Sequence, residues 1–215
     1  MNDAHYHRGG YATFLSLGGR EYRFHGVHPW AAGEWCAERE LSLRRALAAD
    51  VHAGVGEIGL DRLRKKEIGP GERIAFEVQL RLAAEFRRPV VLHGAKCWGE
   101  VAAACRPFAG RIPAFLFHGF SRSGGLLSAI YALNGFVGVG ASLLNDHATN
   151  YRTLVKEVAS DRLLVETDAN YFDEGRSDST LDGILRKLSE LRGEEPGRLA
   201  AAIDANLARF AEALA

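Results

Sequence analysis

Six side chains able to bind divalent metals follow apolar runs along the chain. They are four histidines and two carboxylates: His5, His7, Glu57, His93, His118 and Asp168. His5 and His7 stand two residues apart, and side chains at that spacing on a strand point to the same side, so both can hold one ion. A single histidine after a strand is a weak indication of a ligand. The complete set of nitrogen and oxygen donors, however, suits a pair of divalent ions.

The apolar runs alternate with helical patterns. The runs are Val55–Ile58, Pro89–Leu92, Ala114–Phe117, Gly135–Val139 and Leu163–Val165. Such continuous runs are typical of strands covered on both faces, as in a parallel sheet. Apolar spacing predicts helices over Arg73–Arg87 and in two stretches near the C-terminus, 181–191 and 199–210. The alternation predicts an α/β fold, a TIM-like (β/α) barrel, whose active sites lie at the carboxyl ends of the strands.

The N-terminal region departs from this alternation. Asp3–His7, Ala12–Leu17 and Tyr22–Val27 have the pattern of strands, but the segments between them are too short for crossover helices. Glycines in Arg8–Gly10 and Gly18–Arg20 predict hairpin turns instead. We therefore expect a β-meander in which the second strand is antiparallel and the third runs parallel to the first. The meander would replace helices and complete eight strands in a reduced barrel.

Composition limits the protein class. The chain has 215 residues, enough for one domain over residues 1–215, and 27 basic residues balance 27 acidic ones. Zero net charge argues against a protein that coats long nucleic acid, but it leaves open an enzyme that holds one phosphate through metal ions. No apolar run approaches the roughly 18 residues of a membrane helix, and no signal peptide is evident. We expect a cytoplasmic protein without membrane contact. Its three cysteines are predicted to be buried thiols.

The motifs, taken in order, resemble those of the TatD-like metal-dependent deoxyribonucleases, a branch of the amidohydrolase-type barrels. The resemblance runs over residues 1–172 and rests on Asp3–His7, Gly26–Pro29, Gly56–Asp61, Pro89–His93, His118–Ser121 and Glu166–Tyr171. The blocks Gly56–Asp61 and Glu166–Ala169 are specific. Family members usually carry an additional helix and βα unit before the Gly26–Pro29 motif. This chain has only about twenty residues there, which agrees with the hairpins expected in the N-terminal region.

The resemblance implies a role for each donor. His5, His7 and Asp168 would hold one metal, His93 and His118 a second, and Glu57 would be shared between them. Mg²⁺ is the family-like cofactor, although four histidines also suit Zn²⁺ or Mn²⁺. We expect two-metal hydrolysis of phosphodiester bonds in DNA ends or short single strands. Asp168 and Glu57 are both candidates for accepting the proton.

Other residues are expected to assist. The arginine that family members carry two residues after the histidine of the fourth motif is Ala95 here, so Lys96 or Arg122 would position the substrate phosphate. His28, which precedes Pro29, is expected to support the metal ligands. Trp98 is open to two interpretations, stacking on a base or packing in the core, and the same holds for Tyr171.

Two other functions stay open at this point. One is a hydrolase of the same barrel class that acts on a small amide, lactone or phosphate ester. Binuclear relatives of that kind often bridge their metals with a carboxylated lysine, and Glu57 in its place favours the nuclease branch. The other is a non-catalytic metal-binding barrel, against which the complete donor set argues.

Overall fold

Eight strands form one sheet in which each strand pairs with its neighbours in sequence. The structure is a computed structural model that describes residues 3–8, 12–64, 66–121, 124–168 and 177–214, with side chains left undescribed at 3–8, 12 and 177–179. The strands are β1 Asp3–Arg8, β2 Ala12–Leu17, β3 Arg20–His25, β4 Gly54–Asp61, β5 Val90–Ala95, β6 Phe115–Phe117, β7 Gly135–Val139 and β8 Leu163–Val165. Strand β8 approaches β1, so the sheet curls into a barrel. The predicted TIM-like α/β class is confirmed.

The N-terminal meander is also confirmed. Strand β1 pairs antiparallel with β2, and β2 pairs antiparallel with β3. Gly18 and Gly19 connect β2 to β3, and both have positive φ angles (58° and 79°), which glycine adopts without a steric penalty. From β3 onward every pairing is parallel.

Seven α-helices occur in the described part of the chain. They are α1 Ala37–Ala49, α2 Pro70–Phe86, α3 Trp98–Cys105, α4 Leu127–Ala132, α5 Thr149–Glu157, α6 Ser177–Arg192 and α7 Pro196–Ala211. A 3₁₀ helix, Pro29–Glu34, leads from β3 towards α1. Among the described helices, none combines the length and hydropathy needed to cross a membrane. Helices α2, α6 and α7 correspond to the three that apolar spacing predicts.

Alternation along the strands separates an inner core from an outer one. Val90 and Leu92 belong to the large cluster between sheet and helices, whereas Val91 belongs to a smaller cluster that includes Leu116 and Leu164. Successive strand residues face opposite sides, so the strand residues of this smaller cluster face the inside of the barrel. Residues two positions further along these strands share that inward direction. This places His93, His118 and Glu166 directly beyond the inner core.

The cysteines differ in exposure, which corrects the expectation that all three are buried. Cys97 and Cys105 are buried, but Cys36 is exposed. Burial raises the pKa of the Cys97 thiol to about 11 and that of Cys105 still higher. We expect a maleimide near neutral pH to label Cys36 alone in the folded protein and all three thiols after unfolding, as counted by mass spectrometry. Equally fast labelling of two thiols in the folded protein would contradict this burial pattern.

Candidate metal centre

Glu57 lies where three imidazole rings converge. Its Oε1 atom is 2.7 Å from Nδ1 of His93, 3.5 Å from Nε2 of His118 and 3.8 Å from Nε2 of His28. The residue is only 3% exposed. Ligand atoms of His28, Glu57 and His93 all lie within 4.8 Å of one another, as a group able to hold a metal ion must. The structure therefore brings three of the predicted donors together, with His28 beside them.

An irregularity in β4 turns Glu57 into the barrel. Val55 belongs to the outer core, so simple alternation would point Glu57 outward as well. The register between β4 and β5 shifts between Val55 and Ile58, as at a β-bulge. Bulges next to functional sites re-aim side chains in this way. Strand β4 then continues to Asp61, so Glu57 lies within the strand. This corrects the expectation that Glu57, like the other donors, follows the end of a strand.

Both ring nitrogens of His93 face carboxylates. Nδ1 lies against Glu57, and Nε2 is 3.0 Å from Oδ2 of Asp61. A neutral ring carries one proton, so if Asp61 accepts it, a bare nitrogen and a carboxylate oxygen face each other at 2.7 Å. A second proton or a metal ion between the two atoms would remove their repulsion. The carboxylate–histidine–metal arrangement, in which an outer carboxylate fixes the ring, has the same form.

His118 repeats the arrangement from the next strand. Nδ1 is 3.0 Å from Oε1 of Glu166, which also accepts the Gly119 N–H at 2.5 Å. Nε2 faces Glu57, and it lies 3.9 Å from Oδ1 of Asp168. Glu166 is fully buried, and its Oε2 has no hydrogen-bond partner among the described residues. Burying these carboxylates beside neutral imidazoles is costly unless a cation is near, so the donor set fits divalent metal.

His28 presents an N–H to the same place. Its Nδ1 accepts a hydrogen bond from the backbone N–H of Trp30 at 3.2 Å. In a neutral ring the proton then resides on Nε2, 3.3 Å from Nδ1 of His93. The segment before it is held because the buried amide of Gln79 bonds both the N–H and the carbonyl of Val27. A ring in this state donates to the site, and it would have to lose the Nε2 proton before that nitrogen could bind a metal.

The remaining predicted site residues are distributed differently. Asp168 lies three residues beyond β8 with a half-exposed side chain and a positive φ of 51°. Lys96 is exposed just after β5, also with a positive φ. The side chains of His5 and His7, and Arg122 and Tyr171 entirely, lie outside the described residues. The ligand assignments therefore stay predictions.

Trp98 packs in the core and does not face the site. It is 3% exposed, and its ring centroid lies 5.8 Å from that of Phe117 and 5.3 Å from that of Phe120. Of its two interpretations, core packing is the observed one. The exposed aromatic ring beside the metal centre is Trp30, which sequence reasoning missed.

Asp61 and Glu166 were missed as well, although both lie inside motifs that carry the family resemblance. Each contacts the ring nitrogen that does not face Glu57, Nε2 of His93 for Asp61 and Nδ1 of His118 for Glu166. Burial raises the pKa of Asp61, but hydrogen bonds from the Arg64 backbone, the Trp30 indole and His93 outweigh it, so the pKa lies below its usual value. Asp61 is thus a carboxylate that can hold the His93 ring. Asp61 is the last residue of β4 and of its pairing with β5, and this position at the carboxyl end of a barrel strand would have indicated its role.

We expect Asp61→Asn to weaken divalent-metal affinity about 10- to 100-fold, because loss of an outer-shell partner typically costs that much. The asparagine keeps the size of the side chain but presents no full negative charge to His93. Isothermal titration with Mn²⁺ measures the change. Glu100→Gln, an exposed carboxylate that pairs with Arg62 and Arg73, is the matched control. Unchanged affinity in Asp61→Asn would contradict a role in holding the ring.

The fold and the histidine–carboxylate centre together define a class, the metal-dependent hydrolases built on a barrel. A sequence profile described as TatD related DNase matches residues 13–212. The chain therefore belongs to the TatD-related DNase family, as its motifs indicated.

Individual relatives agree with this assignment. The 3'-5' ssDNA/RNA exonuclease TatD of Pantoea vagans is 31% identical over 192 residues, which cover 84% of this chain and 74% of the relative. Its counterpart from Cronobacter sakazakii is 32% identical over 197 residues, covering 86% and 74%. Among solved structures, the TatD homologue YJJV from Escherichia coli has a TM-score of 0.76 at 25% identity, covering 88% of this chain and 76% of that one. An uncharacterized amidohydrolase from Saccharomyces cerevisiae, 15% identical with a TM-score of 0.73 and covering 88% and 80%, shares the fold.

Proposed function

We propose that this protein is a metal-dependent nuclease that hydrolyses phosphodiester bonds in single-stranded nucleic acid from the 3′ end. Family membership and the 3'-5' ssDNA/RNA exonuclease activity for which the TatD relatives are named support the reaction class and the substrate. One structural observation carries the proposal for this chain. Glu57 meets one inward nitrogen of His93 and one of His118, while Asp61 and Glu166 hold the opposite nitrogens.

We propose a pair of divalent ions as the cofactor, Mg²⁺ first and Zn²⁺ or Mn²⁺ as alternatives. His93, His118 and Glu57 would hold one ion, and Asp168 with His5 and His7 the other, Glu57 being shared. Bound there, the ions would neutralise charge on the phosphate and make water acidic enough to lose a proton near neutral pH. The mixture of imidazole and carboxylate donors is compatible with all three metals.

Asp168 is the residue we propose as proton acceptor. Glu57 is buried and surrounded by imidazoles, so it has little freedom to take a proton from a substrate-side water. Asp168 is half exposed and only 3.9 Å from the His118 ring, so it borders both the site and the solvent from which water arrives. General-base catalysis requires both proximity and access of this kind.

Phosphate orientation would come from N–H and ammonium groups at the rim. His28 presents its Nε2–H to the site and can donate to a phosphate oxygen. We propose that Lys96, exposed after β5, and Arg122 take the place of the family arginine that Ala95 replaces. A lysine would act as a point charge, without the paired hydrogen bonds of a guanidinium.

The test is a substrate panel with defined metals. The chelator-stripped protein is reloaded with Mg²⁺, Mn²⁺ or Zn²⁺ and given 5′-labelled single-stranded DNA, the same RNA sequence, duplex DNA, a model phosphodiester and a set of small amides and esters. We expect stepwise shortening of the single strands from the 3′ end and no cleavage after chelation. A phosphorothioate at the 3′ end should block shortening. Hydrolysis of amides or small esters alone, or metal uptake without any hydrolysis, would overturn the proposal.

A further inference from the structure

Trp30 is an aromatic side chain that the fold leaves in solvent next to the metal centre. It lies in the 3₁₀ helix Pro29–Glu34, and 57% of the residue is exposed. Exposing an indole forgoes a large hydrophobic gain, so a fixed position in solvent calls for a reason. Other exposed apolar residues, such as Leu63 and Val51, are aliphatic and have no flat face.

The ring of Trp30 is held against the site. Its Nε1–H donates to Oδ2 of Asp61 at 2.6 Å, the same oxygen that faces His93. The indole centroid lies 4.7 Å from that of His28 and 6.4 Å from that of His93. Both histidines border Glu57, so the exposed ring lies beside the centre at which a phosphate would bind. A ring already held in position loses little conformational entropy when a ligand stacks on it.

A positive charge accompanies the ring. The guanidinium carbon of Arg64 lies 5.1 Å from the Trp30 ring centroid, in a cation–π arrangement. Arg64 is exposed, and its backbone N–H donates to Asp61, so the loop that carries it is attached to the same carboxylate. An exposed indole and a guanidinium plane side by side are the two groups on which proteins stack single-stranded bases, and arginine adds attraction for the adjacent phosphates.

We propose that Trp30, together with Arg64, forms a nucleobase-binding subsite for a nucleotide that flanks the scissile phosphate. The inference rests on the proposed nuclease function and deepens it, because it assigns substrate recognition to residues outside the metal ligands. Stacking tolerates every base, so the subsite favours a nucleotide over a bare phosphodiester without selecting a sequence. It also requires an unpaired base, which agrees with a single-stranded substrate.

Two oligonucleotides of equal charge test the subsite with the metal-loaded enzyme. One is intact, and in the other the last two nucleotides at the 3′ end lack their bases. We expect the wild-type kcat/KM to favour the intact strand about 5- to 150-fold, the range that loss of one stacked base gives. Trp30→Ala should bring this ratio close to one, and Arg64→Ala should reduce it in part. Leu63→Ala, an equally exposed neighbour without a ring, should leave the ratio as in the wild type.

Trp30→Phe separates stacking from the hydrogen bond to Asp61, since phenylalanine keeps a ring but has no N–H. The stacking role predicts that Trp30→Phe retains most of the base preference. Equal losses on both oligonucleotides in Trp30→Ala and Trp30→Phe would show that Trp30 acts only through Asp61 and would overturn the inference. So would an unchanged ratio in Trp30→Ala.

A direct binding measurement covers the case in which Trp30→Ala does not fold. Thymidine monophosphate should quench the tryptophan fluorescence of the metal-loaded wild type, and Trp30→Phe should lose that quenching although Trp35 and Trp98 remain. Quenching that persists in Trp30→Phe would overturn the inference. If the wild type cleaves neither oligonucleotide, the nuclease function itself fails, whereas cleavage with a Trp30-independent base preference sinks the subsite alone.

Discussion

Asp168→Asn is expected to lower the turnover of single-stranded DNA by about 10³-fold or more, as removal of a reacting carboxylate does in other hydrolases. The substitution keeps the shape of the side chain and removes its charge. Asp168 has a positive φ of 51°, a conformation that asparagine tolerates as well as aspartate, so the backbone should not be strained. The side chain is half exposed, so the substitution should cost little stability. Activity should fall while the melting temperature stays close to that of the wild type.

A matched control lies at the other end of the same strand. Asp161 precedes β8, and its exposed side chain forms a 3.8 Å ion pair with Arg162, so Asp161→Asn should leave turnover unchanged. Single-turnover rates on a 5′-labelled oligonucleotide measure the chemical step, and metal analysis of the same samples reports ion content. Full turnover in Asp168→Asn would remove this residue from the reaction. Loss of both turnover and half of the bound metal would assign it to metal binding more than to proton transfer.

Much of the barrel can be predicted because its hairpins and its covered strands each have a recognisable local sequence pattern. The glycine pair at Gly18–Gly19 and the short connections permit only hairpins, and the long apolar runs permit only covered strands. Helix α1 lacked such a pattern. Along Ala37–Ala49 only Leu43 and Leu47 are buried, so its apolar stripe is too sparse to stand out against the charged residues around it.

The donor residues of the metal centre could be predicted from the sequence, but their arrangement in space could not. His93 and His118 follow the inward residues Val91 and Leu116 by two positions, so their direction is implied by alternation once the inner face is known. Glu57 breaks that rule through the β4 irregularity, which no spacing in the sequence indicates. The outer partners Asp61 and Glu166 could not be separated from their motifs without knowing which ring nitrogen each contacts. The proposed role of Trp30 depends on the exposure of its ring, which the sequence does not reveal.

Gly138→Ala is expected to damage both stability and turnover, because this glycine makes room for Glu166. A Cβ at position 138 would lie 2.2 Å from Oε2 and 2.8 Å from Cδ of that carboxylate. Glu166 cannot turn away without cost, since it is fully buried and its Oε1 is bonded by His118 and the Gly119 N–H. The clash should cost about 1–3 kcal/mol of unfolding free energy, as overpacking of a core does.

The loss of turnover in Gly138→Ala should exceed what reduced stability alone explains. Displacing Glu166 moves the His118 ring, and a shift of about 1 Å at a catalytic centre can cost about 10²-fold in rate. Gly140→Ala is the matched control two residues further along: its Cβ would meet the nearest atoms of Glu166 at 3.6 Å, an ordinary contact. Urea unfolding and metal-saturated turnover should therefore separate the two alanine variants. If Gly138→Ala retains wild-type turnover at saturating metal, Glu166 does not control the position of His118, and the outer carboxylates lose their proposed role in the centre.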